Sequence, residues 1–216
     1  MRQFDQDQLR QRVNVLIIDY GMSNLGSVRR AFEECGADVS VSADPADLDQ
    51  AERIVLPGVG AFPDGMAHLN AAGWPEKLRQ TLANPDIHLL GICLGMQLLA
   101  AKGHENGETV GLGLIPGEVA RLDPGNTKER IPHVGWNEVH FTRPHLLTDG
   151  IKDGTDFYFV HSYHFRTAVA THALASTPYC GGFSSIVCAG NVMGAQFHPE
   201  KSSRPGFQII RNFLTC

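Results

Sequence analysis

The chain has 216 residues and a formal net charge of −5, with 43% hydrophobic and 19% charged residues. This balance excludes an intrinsically disordered segment, which contains fewer apolar residues, and a nucleic-acid-binding domain, which carries a basic excess. Its 23 glycines and 12 prolines indicate many turns but fall short of a collagen-like or low-complexity composition. The length suits one domain with a large core.

The five cysteines are widely spread and form no Cys-x-x-Cys pair. This spacing favours neither a disulfide framework nor a zinc site, and it is typical of a reducing compartment, so we expect a cytoplasmic protein. Residues 1–12 are polar and glutamine-rich, lack the apolar core of a signal peptide, and are interpreted as an N-terminal extension. The absence of an apolar run of about 18 residues predicts no membrane span. Residues 13–216 are predicted to form a single domain.

The first half of the chain alternates short apolar runs with helical patterns. Residues 13–18 form a β-branched, nearly continuous apolar run, the pattern of a strand buried on both faces. Helical spacing follows over 28–35, and Gly36 is placed to end that helix. Further strands are predicted at 37–42, 53–56 and 88–92, the last followed directly by a helix over 94–101. This alternation predicts an α/β fold with a doubly wound, mainly parallel sheet and helices on both faces.

The second half contains more strand patterns, separated by glycine, proline and asparagine turns. These patterns lie at 118–122, 138–141, 157–162 and 192–197. We therefore expect additional antiparallel or mixed β elements in this half. An amphipathic pattern over 205–214 predicts a closing helix.

A predicted strand runs straight into a predicted helix through Gly-Ile-Cys-Leu-Gly at 91–95. A nucleophile elbow has this form, because the nucleophile occupies a strained turn and flanking glycines avoid clashes. The N-terminus of the following helix favours a thiolate and an oxyanion. The alternative is a buried structural cysteine between two packing glycines, so a partner base must decide the role of Cys93.

A candidate base lies far downstream, in Gln-Phe-His-Pro-Glu at 196–200. Residues two apart in an extended chain point to the same side, so His198 and Glu200 are predicted to lie together. A cysteine nucleophile needs a general base, and an imidazole needs a carboxylate that fixes its tautomer. Cys93, His198 and Glu200 fit these roles, and their combination outweighs the alternative that His-Pro-Glu is a surface turn.

The motifs at 91–97 and 196–200 resemble those of the class I, triad-type glutamine amidotransferases. Within that class, four further segments are similar to the glutaminase subunits of imidazole glycerol phosphate synthase. They are Asp-Tyr-Gly-Met-Ser-Asn-Leu at 19–25, Pro-Gly-Val-Gly-Ala-Phe at 57–62, Pro-His-Val-Gly-Trp-Asn at 132–137 and Tyr-Phe-Val-His-Ser-Tyr at 158–163. The resemblance covers residues 13–214, and it departs from the family at Ser23, where glycine is usual.

The resemblance implies that the chain hydrolyses glutamine. Cys93 would attack the side-chain carboxamide, and His198 would protonate the departing ammonia. The backbone N–H of Leu94 is one expected oxyanion donor, and the loop containing Val59 and Gly60 is expected to supply the second. Without the resemblance, that loop is equally well a tight connection between a strand and a helix.

The resemblance also implies a set of contacts to the substrate. The amide of Gln97, one helical turn past Cys93, is expected to reach the glutamine, and Glu105 is expected to accept its α-ammonium. The predicted substrate-binding residues are Gly58, Gln97, Glu105, His161, Ser162 and Tyr163. The alternatives are a solvated helix position for Gln97, a loop charge for Glu105 and strand packing for residues 161–163.

A chain of this length has no room for a second synthase domain, so a separate acceptor of ammonia is implied. The resemblance implies a heterodimer with a (β/α)₈-barrel cyclase subunit in histidine biosynthesis, with Asn24 and Trp136 at the interface. Trp136 is otherwise interpreted as an ordinary core residue.

No cofactor and no metal are expected, because the ten histidines lack metal-site spacing. Nucleic acid and membrane are not expected partners. Three other functions stay open: a paralogous amidotransferase that supplies ammonia to a sugar-modifying synthase, a non-catalytic regulatory subunit, and a cysteine peptidase or similar hydrolase on a related sheet.

Overall fold

A computed structural model describes residues 12–216 of the chain, so the predicted N-terminal extension lies outside the described residues except for Arg12. Over this range the chain forms two sheets and five α-helices. The strands β1 to β13 are Asn14–Ile18, Asp38–Ser42, Arg53–Gly58, His88–Cys93, Lys102–Gly103, Thr109–Val110, Gly117–Arg121, His133–Phe141, Thr155–His161, Tyr163–Thr167, Ala173–Thr177, Phe183–Ala189 and Val192–Ala195. The helices α1 to α5 are Leu25–Glu34, Phe62–Ala71, Trp74–Leu82, Leu94–Leu98 and Ser203–Thr215.

The larger sheet has nine strands in the order β2, β1, β3, β4, β13, β12, β11, β8, β9. The pairings from β2 to β13 are parallel. Those from β13 to β9 are antiparallel, so the antiparallel additions are as extensive as the parallel part. The predicted doubly wound α/β fold with antiparallel elements from the second half is confirmed. One of those elements, β13, returns to the centre and pairs with β4 in parallel.

The central strands are buried on both faces, as their continuous apolar sequences predict. In β1, Val15 and Ile17 pack in the core that includes α1 and α5, whereas Leu16 and Ile18 pack in the core that includes α2 and α3. Successive side chains of a strand point to opposite faces, so one apolar run supplies both cores. Because the strands from β2 to β13 are parallel, their carboxyl ends lie at one edge of the sheet. The loops that follow β3 and β4 meet at this edge.

Helix α4 ends at Leu98, so it is shorter than the predicted helix over 94–101. The reason is a loop over residues 111–115, whose backbone N–H groups donate hydrogen bonds to the carbonyl oxygens near the end of α4. In a longer helix these oxygens would accept from N–H groups of the next turn. Leu112 donates to Leu98 O at 2.9 Å, and Gly113 donates to Ala100 O at 2.9 Å.

The smaller sheet has the order β10, β7, β5, β6. It lies next to α4 and brings the segment after β9 and the loop between β5 and β6 toward the end of β4. Among the described helices, none is long and apolar enough to cross a membrane.

Candidate active site

Cys93 lies at the junction of β4 and α4 with φ 55° and ψ −111°, a conformation that side-chain-bearing residues rarely adopt. Both neighbouring glycines are sterically required. A Cβ on Gly91 would lie 2.7 Å from Gly95 O, and a Cβ on Gly95 would collide with the carbonyl oxygen of Leu56. This is the geometry of a nucleophile elbow, in which a close-packed strand and helix hold a strained residue at the sheet edge.

His198 and Glu200 form a buried pair, with His198 Nδ1 2.8 Å from Glu200 Oε1 and side chains only 4% and 2% exposed. Their proximity is as predicted, but the extended chain given as its reason is wrong. A 3₁₀ turn over Pro199–Lys201 brings the carboxylate back to the ring. The hydroxyl of Ser202 locks the turn, since it donates to His198 O at 2.7 Å and accepts from Tyr158 N–H at 3.0 Å.

The electrostatics of the site favour a protonated His198. Burial alone would lower its pKa, but the neighbouring Cys93 sulfur and the Glu200 carboxylate together raise the pKa to about 9. The Nε2 atom of His198 is buried and has no hydrogen-bond partner among residues 12–216. At neutral pH the ring therefore carries a proton, and a charged imidazole of this kind can stabilise a neighbouring anion and give its proton to a leaving group.

The sulfur of Cys93 has two further polar neighbours. Its Sγ lies 3.8 Å from Val160 O, and Gln196 Nε2 donates to Sγ at 3.8 Å. Gln196 is fully buried, and its Oε1 accepts from Gln97 Nε2 at 3.1 Å. Gln196 was part of a quoted motif, but sequence reasoning gave it no role. Its contact with Cys93 depends on β13 lying beside β4, which the sequence did not reveal.

A cavity of about 170 Å³ opens over Cys93. Most of the residues predicted to form the site line it, namely Val59, Gly60, Cys93, Leu94, Gln97, Glu105, His161, Ser162, Tyr163 and His198. Val160, which sequence reasoning missed, is also part of the wall. Glu200 contacts His198 and is not among the described residues that line the cavity.

Two predicted roles, at the last residue of β3 and in the loop that follows it, need correction. Gly58 is not among the described residues that line the cavity. It packs beneath the elbow, where a Cβ would lie 2.9 Å from Gly95 N. The N–H of Val59 donates to Met22 O at 2.8 Å, so in this structure it is not free for an oxyanion. The peptide between Val59 and Gly60 borders the cavity, and Gly60 has φ +124°, which favours glycine.

Gln97 and Glu105 hold defined positions in the wall. Gln97 is only 5% exposed, so the alternative of a solvated helix position is wrong. Its Nε2 donates to Tyr163 O at 2.8 Å, which ties α4 to the start of β10. Glu105 Oε2 accepts from Phe62 N–H at 2.8 Å, so this carboxylate caps α2 while it borders the cavity.

The two predicted interface residues lie on the surface. Trp136 is 52% exposed on β8, so its interpretation as an ordinary core residue is wrong. Its ring contacts that of Tyr158 on β9, with centroids 6.0 Å apart. Asn24 is exposed at the start of α1 and makes no side-chain capping bond there with any described residue.

Histidines 133, 161 and 164 are buried, and burial is the main reason that their pKa values fall to about 4, about 3 and about 4. Within residues 12–216, no group of three or more histidine, cysteine, aspartate or glutamate side chains is placed to hold a metal ion. His133 and His161 instead bond to each other, with His133 Nδ1 3.2 Å from His161 Nε2.

Comparison with known proteins places this chain in a family. A model of the family described as glutamine amidotransferase class-I matches residues 16–216. The imidazole glycerol phosphate synthase subunit HisH of Moorella thermoacetica is 47% identical over 199 residues, 92% of this chain and 93% of that protein. HisH of Chromobacterium violaceum is 46% identical over 209 residues, 94% of this chain and 97% of that protein.

Solved structures share the fold. The structure of PurLQS from Thermotoga maritima matches with a TM-score of 0.75 at 18% identity, covering 95% of this chain and 99% of that one. A glutamine amidotransferase from the same organism matches with a TM-score of 0.66 at 20% identity, covering 94% and 83%.

The family match over residues 16–216, on a doubly wound sheet with an elbow at its edge, identifies an α/β enzyme of the glutamine amidotransferase type. The chain belongs to the class-I glutamine amidotransferase family and, within it, to the HisH subunits of imidazole glycerol phosphate synthase.

Proposed function

We propose that this chain is the glutaminase subunit of an imidazole glycerol phosphate synthase, and that Cys93, His198 and Glu200 are its catalytic triad. The observation that carries the proposal is the strained, buried cysteine at the elbow, beside a histidine whose pKa is raised to about 9. A thiolate–imidazolium pair of this kind provides both the nucleophile and the acid that acyl transfer from glutamine requires.

The reaction follows from these positions. The Cys93 sulfur attacks the side-chain carboxamide carbon of glutamine, and the carbonyl oxygen becomes an oxyanion. His198 then gives its Nε2 proton to the leaving nitrogen, so that ammonia departs and a glutamyl thioester remains. Water, activated by the neutral imidazole, hydrolyses the thioester to glutamate and restores the thiolate, while Glu200 keeps the ring oriented in both steps.

Stabilisation of the oxyanion needs donors at the sheet edge. The N–H of Leu94 lies at the start of α4, directly after the nucleophile, and is our first candidate. Gly60 is the second candidate, because rotation of the peptide between Val59 and Gly60 would turn its N–H toward the cavity. We propose that this rotation accompanies partner binding and keeps glutamine from being hydrolysed without an acceptor, since one missing oxyanion donor costs about 10²–10³ in rate.

The partner would be a (β/α)₈-barrel cyclase subunit, joined to this chain in a cytoplasmic heterodimer. An exposed apolar surface on the β8–β9 pair supports a docking face, with Val134 57%, Trp136 52% and Val160 38% exposed. Val134 and Val160 are directly paired, and Val160 also lines the cavity. A subunit that covers this surface would therefore lie next to the site where ammonia is released.

The experiment compares glutamate release by the chain alone with release by the chain mixed with the cyclase subunit from the same organism and its ribotide substrate. We expect slow release alone and a large acceleration in the mixture. Cys93→Ala should abolish release in both samples but leave ammonium-dependent synthesis by the complex intact. Glutamate release that survives in Cys93→Ala would reject the triad, and release that ignores the cyclase would reject the partner.

A further inference from the structure

A row of hydrogen-bonded side chains, the half-buried Asn137 and two buried histidines, connects β8 with the wall of the glutamine cavity. Asn137 Nδ2 is 3.3 Å from His133 Nε2, His133 Nδ1 is 3.2 Å from His161 Nε2, and His161 Nδ1 is 2.8 Å from Tyr163 O. His133 and His161 are 3% and 6% exposed, so each ring nitrogen depends on its protein neighbour for a hydrogen bond.

One end of the row fixes the direction of the bonds. A backbone carbonyl only accepts, so His161 must carry its proton on Nδ1 to donate to Tyr163 O. In a neutral ring the other nitrogen is then an acceptor, so His161 Nε2 must receive a proton from His133 Nδ1. By the same rule His133 Nε2 is an acceptor and needs a donor beyond it.

The opposite end fixes the same direction independently. The backbone N–H of Glu138 only donates, and it bonds to Asn137 Oδ1 at 2.9 Å. This contact turns the NH₂ group of Asn137 toward His133, where an acceptor is required. Burial lowers the pKa values of His133 and His161 to about 4 and about 3, so both rings are neutral near pH 7, as the assignment requires.

The carbonyl at the end of the row, Tyr163 O, joins two parts of the cavity wall. Tyr163 O also accepts from Gln97 Nε2 at 2.8 Å, so one oxygen joins the histidine row to the helix that follows the nucleophile. The segment from His161 to Tyr163 lines the cavity. A change in the tautomer of His161 would place a bare nitrogen against Tyr163 O, and the repulsion would displace this wall.

We propose that Asn137 and His133 are positioning residues for glutamine, which act by locking His161 in its Nδ1–H tautomer and thereby fixing the wall at residues 161–163. The inference rests on the proposed function, because the wall matters only if the cavity takes an amino-acid substrate. The lock holds a binding surface rather than the reacting atoms, so it acts on the affinity for glutamine and leaves the chemical step nearly unchanged.

The first test reads the tautomers directly in the wild-type chain, by ¹⁵N NMR of protein labelled at histidine, at pH 7.5. We expect His133 and His161 both to be protonated at Nδ1, opposite to the Nε2–H form that exposed histidines favour. Single substitutions of each ring assign the signals. An Nε2–H form at either position would overturn the proposal without any reference to activity.

The second test measures glutamine affinity by calorimetry in a Cys93→Ala background, which prevents turnover. His133→Phe keeps the stacking of this ring on Tyr179, at a centroid distance of 3.9 Å, but removes both nitrogens. We expect binding to weaken about three- to tenfold, the effect of one lost hydrogen bond. His133→Asn, whose amide places an N–H near the Nδ1 position, should restore most of the affinity.

His140→Phe is the matched control, because it removes a half-buried histidine of the same strand that contacts Glu138 and Asp153 rather than the cavity wall. We expect it to bind glutamine as the parent does. Equal affinities for the parent and for folded His133→Phe would overturn the inference alone, whereas a parent that binds no glutamine would reject the proposed function. If His133→Phe does not fold, Asn137→Leu is measured instead, and there too an unchanged affinity would contradict the inference.

Discussion

Glu200→Gln removes the negative charge of the proposed triad and keeps the side chain nearly the same size and shape. The amide keeps an acceptor near His198 Nδ1, which now lies 2.8 Å from the carboxylate, but it removes one of the two groups that raise the pKa of His198 to about 9. Burial then opposes Cys93 alone, so we expect the pKa of His198 to fall toward the ordinary 6.5. A full return to 6.5 would lower the protonated fraction at pH 7.5 from nearly all molecules to about a tenth, a cost of about 1.4 kcal/mol.

Loss of orientation adds to this cost. The amide can present its NH₂ group to His198 Nδ1, which favours the wrong tautomer, so we expect kcat/KM to fall by about 10²–10⁴ in total. His198→Ala should be more damaging, because it removes the proton carrier itself.

The assay follows glutamate release from pH 5.5 to 9.5 in complex with the cyclase subunit, with thermal melts as a control for folding. Because the imidazolium is the active form, the alkaline limb of the profile should move down from near pH 9 toward 6.5 in Glu200→Gln. An unchanged alkaline limb, or a loss equal to that of His198→Ala, would refute the assigned role of the carboxylate.

Three further predictions concern the surface, the elbow and pH. Trp136→Ala should weaken affinity for the cyclase by about 2–4 kcal/mol with little change in Tm. Unchanged affinity in calorimetry together with a large drop in Tm would contradict the interface role. Gly95→Ala should destabilise the fold severely, since its Cβ would meet the β3 backbone, and a normal Tm would contradict the elbow geometry. The free energy of unfolding from urea titrations should decrease as the pH drops below 6.5. His133 and His161 take up protons only on unfolding, and each lowers this free energy by about 2 kcal/mol at pH 5. It should also fall between pH 6.5 and 9, as the raised pKa of His198 is passed, so a flat curve would contradict both shifts.

The parts of the fold that sequence predicts are those set by local physics. Residues 13–18 are apolar on both faces, and the glycines around Cys93 favour an elbow once His198 and Glu200 supply the partner base. The end of α4 could not be predicted, because it is set by the loop over residues 111–115, which is distant in sequence from the carbonyls it caps.

The site shows the same division. Sequence motifs predict Cys93 and His198 as candidate site residues, because residue type and spacing within each motif indicate their chemistry. The bond between His133 and His161 spans 28 residues and depends on the register of β8 and β9, which no local pattern encodes. The use of the Val59 N–H by Met22 and the exposure of Trp136 likewise arise only from tertiary packing.

Covalent labelling with a glutamine analogue that carries a diazoketone in place of the carboxamide, followed by peptide mass spectrometry, tests whether Cys93 is the nucleophile of a glutaminase site. We expect a single adduct on Cys93 that excess glutamine suppresses, that is absent in Cys93→Ala and that forms far more slowly in His198→Ala. The other four cysteines, all free thiols, serve as internal controls and should stay unmodified. An adduct elsewhere, or labelling of Cys93 that glutamine does not suppress, would contradict the claim that this elbow is a glutaminase site.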